Sequence, residues 1–204
     1  MSVGATLASG EGSAQAGEYR GRLLEGMAAA LDEKGFAEVT IADIARFARV
    51  SKRTFYEHFD TKQDCLLALY VASSERALAR IAASINPSLD LDAQIARTTQ
   101  VYFSSLQEHP AVLRTLLVEI LAAGPRGLEV RRQVNRRYAE LLRKVVASSR
   151  PKGGGRHTLS SAMAMATVGG LNELLLQAVE GGDLTRLRRL ARPAAALLRA
   201  VVGR

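Results

Sequence analysis

Residues Thr40 to Lys62 read TIADIARFARVSKRTFYEHFDTK, and the fold is decided in this stretch. It holds two short helical patterns separated by a tight turn. Ile41, Ile44 and Ala45 set apolar side chains on one face of the first. Ala45 is small where two helices must cross closely. Arg49-Val50-Ser51 forms the turn, and Val50 can plug the angle between the helices. Ser51 suits the N-cap of the second helix, because its hydroxyl can accept a free backbone N–H of the first turn. Phe55 and Phe59 lie one helical turn apart and face inward, which leaves Lys52, Arg53, Thr54, Tyr56 and His58 pointing elsewhere. The pattern is that of a helix-turn-helix whose second helix enters a DNA major groove.

The remainder of the chain reads as helix. Alanine and leucine are abundant, proline is scarce, and no region alternates with period two, so the expected class is all-α. The chain has 204 residues, enough for one DNA-binding unit and a larger helical unit. A single cysteine excludes an intramolecular disulfide and fits a reducing cytoplasm. The longest apolar run, Ala162–Leu171, is too short to span a bilayer, so no membrane partner is expected. The first 17 residues, rich in Gly, Ala and Ser, read as a disordered arm and lack the pattern of a signal peptide.

Basic residues number 28 against 20 acidic ones, a formal net charge of +8, which favours polyanionic partners. Arg46, Arg49, Lys52 and Arg53 cluster at the turn. Further basic sets lie at Arg131, Arg132, Arg136, Arg137, Arg143 and Lys144, and at Arg186, Arg188, Arg189 and Arg192. These read as solvated faces of amphipathic helices, or alternatively as a second nucleic-acid surface.

Nine helices are expected. The first spans Tyr19–Lys34 with Leu23, Leu24, Met27 and Leu31 inward, and Gly35 stops it. The Thr40–Phe59 pair follows, then Lys62–Ile85, stopped by Asn86-Pro87. Next come Leu91–Glu108, a helix opened by Pro110 and closed at Gly124-Pro125, and Arg126–Ser149. The segment 149–156, SRPKGGGR, reads as a loop. Thr158–Glu180 and a last helix capped by Asp183 complete the chain. Glycine inside a helix costs roughly 1 kcal/mol against alanine, so Gly169 and Gly170 suggest close approach by another backbone. The domain limits that follow are 1–17 for the arm, 18–61 for the DNA-binding domain and 62–204 for the rest.

Thr40, Ile44-Ala45, Ala48-Arg49-Val50-Ser51, Thr54, Tyr56, Phe59 and Lys62 resemble the T-x-x-x-IA-x-x-AGVS-x-x-T-x-Y-x-x-F-x-x-K stretch of the TetR family of transcriptional regulators. The resemblance covers roughly the first third of the chain. It departs at Arg49, where the family usually has glycine in a turn that often needs positive φ. Either the turn adjusts or Arg49 accepts strain, with its guanidinium near a phosphate. The resemblance implies DNA-reading positions at Arg49, Ser51, Lys52, Arg53, Thr54, Tyr56, Glu57 and His58. Lys62 would fix a phosphate. Lys52 or Arg53 would reach guanine O6 and N7. Glu57 would accept from cytosine N4 or pair with Arg53. The implied partner is an inverted-repeat operator in double-stranded DNA, held by a homodimer formed through the last two helices.

The resemblance further implies an effector pocket in the C-terminal domain, with Tyr70, Ala77, Tyr102, Phe103, His109, Glu119, Asn172 and Gln177 as candidate lining. The expected function is a cytoplasmic repressor released from its operator by a small, moderately apolar ligand. Two alternatives stay open: a DNA binder of the same fold controlled by a protein partner, and a helical binding or enzymatic domain with a vestigial helix-turn-helix. No cofactor or catalytic set is expected, because the sequence has no Gly-rich phosphate loop and no paired cysteines. His58, His109 and His157 lie far apart, so no metal is expected. Cys65 reads as a small buried hydrophobe.

Overall fold

Helical periodicity is realised from end to end. The computed structural model describes residues 5–107, 110–150, 157–180 and 185–202. Among the described residues nine helices follow one another: α1 (Ala5–Glu33), α2 (Ile41–Ala48), α3 (Lys52–Tyr56), α4 (Lys62–Ala83), α5 (Leu91–Leu106), α6 (Pro110–Ala122), α7 (Gly124–Ser148), α8 (Ser161–Glu180) and α9 (Thr185–Val202). Asp90 and Arg150 form an isolated bridge. The expected stop at Gly181-Gly182, the Asp183 cap and residues 151–156 of the Gly-rich loop lie outside the described residues.

The chain divides into two compact units, Met1–Tyr70 and Val71–Arg204. The boundary therefore falls inside α4, later than the expected 61/62. The physical reason is burial. Cys65, Leu66 and Leu69 on the opening turns of α4 are buried, and Cys65 Sγ lies 3.8 Å from the carbonyl of Leu23. These turns belong to the first core.

In the N-terminal unit, Leu23, Leu24, Met27 and Leu31 form the buried stripe of α1. The helix starts at Ala5, well before the expected Tyr19. Ala5, Leu7, Ala8, Glu11, Ala14, Gln15 and Ala16 are good helix formers. Once the packed part of α1 supplies the nucleus, they extend it despite Gly10 and Gly12. α1 crosses α2 at Gly26. A Cβ there would sit 2.6 Å from the carbonyl oxygen of Ile44 and 2.9 Å from Cβ of Ala48. Glycine at 26 with alanine at 45 and 48 sets this close crossing. Phe55 and Phe59 fill the space below, with ring centroids 5.8 Å apart.

The start of α2 is fixed by a reciprocal cap. Thr40 Oγ1 accepts from the Asp43 backbone N–H (3.2 Å), and Asp43 Oδ2 accepts from the Thr40 N–H (2.9 Å). Lys34 Nζ lies 2.8 Å from the same carboxylate. The bonds from Lys34 and Thr40 hold the Asp43 carboxyl well below the usual carboxylate range.

The C-terminal unit is a helical bundle in which α5 packs on α9, α7 on α8, and α8 on α9. Phe103, Leu175, Val179 and Leu187 form one buried cluster, and Val146, Leu159, Ala164 and Val168 another. Asp90 caps α5, its Oδ1 accepting from the Ala93 N–H at 2.9 Å. Gly124, at φ +66, makes the tight passage from α6 to α7 that an L side chain rarely permits. Gln94 is fully buried. Its Oε1 accepts from the Asn86 N–H (3.1 Å), and its Nε2 donates to Ser148 Oγ (3.4 Å). That amide ties the α4–α5 connection to the end of α7.

Taken whole, α8 is long and apolar enough by length and composition to cross a membrane, contrary to the expectation drawn from its uninterrupted apolar run. In this fold one side of it is core: Ala164, Val168, Leu175, Ala178 and Val179 are buried, and Asn172 Nδ2 donates to Asn135 Oδ1 at 3.0 Å. Its other side carries exposed Met163 and Met165. A Cβ on Gly169 would meet nothing within 4 Å, so packing within the chain does not demand that glycine.

Candidate nucleic-acid interface and effector cavity

The turn of the helix-turn-helix is built from backbone hydrogen bonds. The Val50 N–H donates to the Ala45 carbonyl (3.0 Å) and the Arg49 N–H to the Arg46 carbonyl (3.1 Å). This is the paired closure of a helix C-terminus that requires a left-handed residue between its donors. Arg49 takes that conformation at φ 53, ψ 48. Arg49 thus accepts the strain that glycine would avoid, roughly 1–2 kcal/mol for an L residue.

A contact from another helix supports this turn. Arg22 on α1 donates from Nε to the Ala48 carbonyl (3.0 Å) and from Nη2 to the Arg49 carbonyl (2.6 Å). A guanidinium placed on the free carbonyls of a helix end also complements their partial negative charge. Nothing local marks Arg22, since its partners lie on another helix.

Ser51 is extended and caps α3. Its Oγ accepts from the Thr54 N–H (3.0 Å) and lies 2.9 Å from Thr54 Oγ1. Capped at one end and anchored by buried Phe55, α3 leaves Lys52, Arg53, Tyr56 and Glu57 exposed. Arg53 Nε donates to Glu57 Oε1 at 3.2 Å. With the Arg53 side chain 90% exposed, this pair is weak and readily exchanged for another acceptor. Tyr56 is 57% exposed, its ring edge-on to Phe55 at 5.6 Å. His58 is half-buried and Arg49 exposed. The structure therefore brings Arg49, Ser51, Lys52, Arg53, Thr54, Tyr56, Glu57 and His58 together around one short helix.

Lys62 is held within the fold. Its Nζ donates to the carbonyls of Phe36 (2.9 Å), Ala37 (3.0 Å) and Val39 (2.8 Å), and it sits 4.8 Å from the Phe36 ring centroid. An ammonium has three N–H groups, and all three are engaged. Lys62 locks the α1–α2 connection to α4 and has no donor left for a phosphate. Three of the basic residues of α7 are engaged as well. Arg132 pairs with Glu129 (2.5 Å), Arg137 with Glu75 (2.7 Å), and Arg143 donates to the Leu159 carbonyl (3.0 Å). They behave as the outer face of an amphipathic helix.

Within the C-terminal unit lies a cavity of about 80 Å³. Tyr102, Phe103 and Asn172 line it as expected, but Tyr70, Ala77, Glu119 and Gln177 do not. Tyr70 belongs to the N-terminal unit. Ala77 is buried one turn before Ile81, the residue of α4 that does reach the cavity. Glu119 is on α6, which contributes no wall, and exposed Gln177 donates to Glu173 at 3.0 Å. His109 lies outside the described residues. Sequence reading missed Thr98, Thr99 and Tyr138, because periodicity marks an inward face without saying which inward positions meet an empty space. Among the described residues no group of three or more His, Cys, Asp or Glu is placed to hold a metal.

Residues 23–69 match the family model described as bacterial regulatory proteins, tetR family. The helix-turn-helix unit is therefore similar to that of the TetR family. This helix-turn-helix makes the chain a DNA-binding transcriptional regulator. Over 187 residues, 90% of this chain and 91% of the relative, the chain is 25% identical to the HTH-type transcriptional regulator UidR of Escherichia coli K12. Over 150 residues, 72% of this chain and 68% of the relative, it is 27% identical to the HTH-type transcriptional regulator EthR of Mycolicibacterium smegmatis. The fold is shared with the transcriptional regulator FadR from Bacillus subtilis, solved in complex with stearoyl-CoA, at a TM-score of 0.70 and 17% identity over 90% of this chain and 98% of that one.

Proposed function

We propose that this chain is a cytoplasmic homodimeric repressor that holds an inverted-repeat operator and is released when a small, moderately apolar molecule fills the cavity of its C-terminal unit. The reading rests on one observation: Lys52, Arg53 and Tyr56 stand exposed on a helix whose cap and turn are fixed by hydrogen bonds. Preset donors on a rigid short helix are what groove recognition requires. Lys52 and Arg53 read base edges. Tyr56 and Thr54 bind phosphates, with Arg49 beside them. Glu57 releases Arg53 on contact with DNA, and His58 supports the edge of the surface.

Dimerisation is supported by the outer face of α8, where Ala162, Met163, Met165, Ala166 and Gly169 are exposed. Small residues and flexible methionines suit a close helix contact with a second copy. Leu198 on α9 is buried against Ile95 and Ala195 and belongs to the unit's own core, so the dimer is tested on α8.

The decisive experiment is selection of bound duplexes from a random library by the full chain, followed by titration. The expected outcome is an inverted repeat bound with a steep salt dependence. Lys52→Ala and Arg53→Ala should each cost about 1–3 kcal/mol and relax base preference at one position. Selection that returns no common sequence sinks the reading. Met163→Glu with Ala166→Glu should give monomers by light scattering, and a folded dimer in that variant moves the interface elsewhere. A second reading, control by a protein partner, draws on exposed Val118, Leu121 and Leu128 of α6 and α7. It is favoured if a bound small molecule leaves operator affinity unchanged.

A further inference from the structure

The chemistry of the cavity wall restricts what can occupy it. None of the lining residues is Asp, Glu, Lys, Arg or His. An ionised group moved from water into such a wall has no counter-charge and is strongly disfavoured. The walls are mostly leucine, valine, isoleucine and aromatic side chains, with the amide of Asn172, the hydroxyls of Tyr102 and Tyr138 and two threonines as the polar groups; Tyr102 and Phe103 meet edge to face at 5.3 Å and Tyr102 and Tyr138 at 5.7 Å. A volume of about 80 Å³ is small. An apolar cavity of about 150 Å³ admits benzene, so with modest movement of the wall the cavity suits a compact guest of about one ring.

One polar atom in the wall is unmatched. Thr99 is 6% exposed, lines the cavity, and its Oγ1 has no hydrogen-bond partner among the described residues. Its neighbour Thr98 does what a helical threonine usually does, donating from Oγ1 to the carbonyl of Gln94 at 2.8 Å. A buried hydroxyl without a partner is disfavoured and unusual, and a ligand oxygen would satisfy it. A hydroxyl can both donate and accept, so a carbonyl or a hydroxyl on the ligand serves equally.

We infer that the effector is an uncharged, single-ring-sized apolar molecule carrying one hydroxyl or carbonyl oxygen, which hydrogen-bonds to Thr99. This rests on the reading of the cavity as an effector site. It sets the chain apart from the stearoyl-CoA complex that shares its fold, since a thioester of that length carries both charge and a long chain.

The test uses the full-length protein and four probes: benzyl alcohol, toluene, benzoate and stearoyl-CoA. Binding is measured by calorimetry or by ligand-observed NMR, without DNA. Benzyl alcohol should bind saturably and about tenfold more tightly than toluene, the ratio expected for one buried hydrogen bond. Benzoate and stearoyl-CoA should bind more weakly than either. Thr99→Val should erase the preference for benzyl alcohol over toluene, and Thr99→Ser should restore it. If Thr99→Val does not fold, the order of the four probes on the unaltered protein still decides. Tighter binding of benzoate or stearoyl-CoA, equal binding of benzyl alcohol and toluene, or no saturable binding of benzyl alcohol overturns the inference. If benzyl alcohol binds as expected but leaves operator affinity unchanged, the ligand class stands and the repressor-release reading fails.

Discussion

The N-terminal unit and the C-terminal unit are held together by different kinds of interaction. The first places directed polar contacts at each junction around its apolar centre: the Thr40–Asp43 cap, the Arg22 clamp on the turn, and the Lys62 ammonium on three carbonyls. The second has directed ties of its own, such as Gln94 to Asn86 and Ser148, but around its cavity it relies on apolar packing between long helices and keeps an unmatched hydroxyl in the wall. Hydrogen bonds with fixed partners allow one geometry, whereas apolar side chains can repack around a guest at modest cost. A reading head must present the same donors each time, and an effector site must exist in two states. On the proposed function, each unit has the interactions its task requires.

The hardest way to break the first unit is at its helix crossing. Gly26→Ala drives a Cβ into the Ile44 backbone, and backbone cannot rotate away. The expected loss is about 3 kcal/mol in urea unfolding, at the upper end of overpacking costs. A variant as stable as the parent means that α1 and α2 are not pressed together at this point.

Lys62→Met comes next and separates a lock from a phosphate contact. Removing the donors of three carbonyls should cost about 1–2 kcal/mol of stability. The slope of operator affinity against salt should stay unchanged. If Lys62 instead neutralises a phosphate, that slope falls by about one and stability is unaffected.

Arg49→Gly should run the other way. Relief of the left-handed strain stabilises the fold by about 1 kcal/mol, reduced by the added freedom of glycine in the unfolded chain. Stability unchanged or lowered in denaturant titration means that the Arg49 side chain contributes more than its backbone costs.

Asp43 gives a smaller effect with a defined sign. Its folded-state pKa is depressed, so its contribution is complete above its unfolded pKa of about 3.9 and is lost as pH falls through the folded value. The stability gap between the parent and Asp43→Asn should therefore be full at pH 5 and above, and close on acidification below about pH 4. A gap that persists at low pH shows that the Asn side chain fails for a reason other than charge. Cys65 sharpens the contrast without any energy change. Burial pushes its thiol up to about 12, so it should resist alkylation at pH 8 in the folded protein and react only on unfolding.

What depends on near neighbours was legible in the sequence. Ile44, Ala45, Phe55 and Phe59 have their spacing from the helical repeat, and Ser51 caps from its own position, whereas whether Arg49 takes the left-handed conformation stays open until the turn is built. Those effects act over a few residues and are visible in a row of letters. The tertiary structure alone decided the rest. The fate of Lys62 depends on carbonyls 23 to 26 residues away, and that of Arg22 on carbonyls 26 and 27 away. Gly26 matters only because Ile44 and Ala48 cross there. Thr98 and Thr99 are adjacent and alike in sequence, yet one bonds to its own helix and the other lines a cavity unpartnered. Local propensity fixes a helix and its ends. Which donor meets which acceptor across helices, and where packing leaves a space, follows from the relative placement of distant segments.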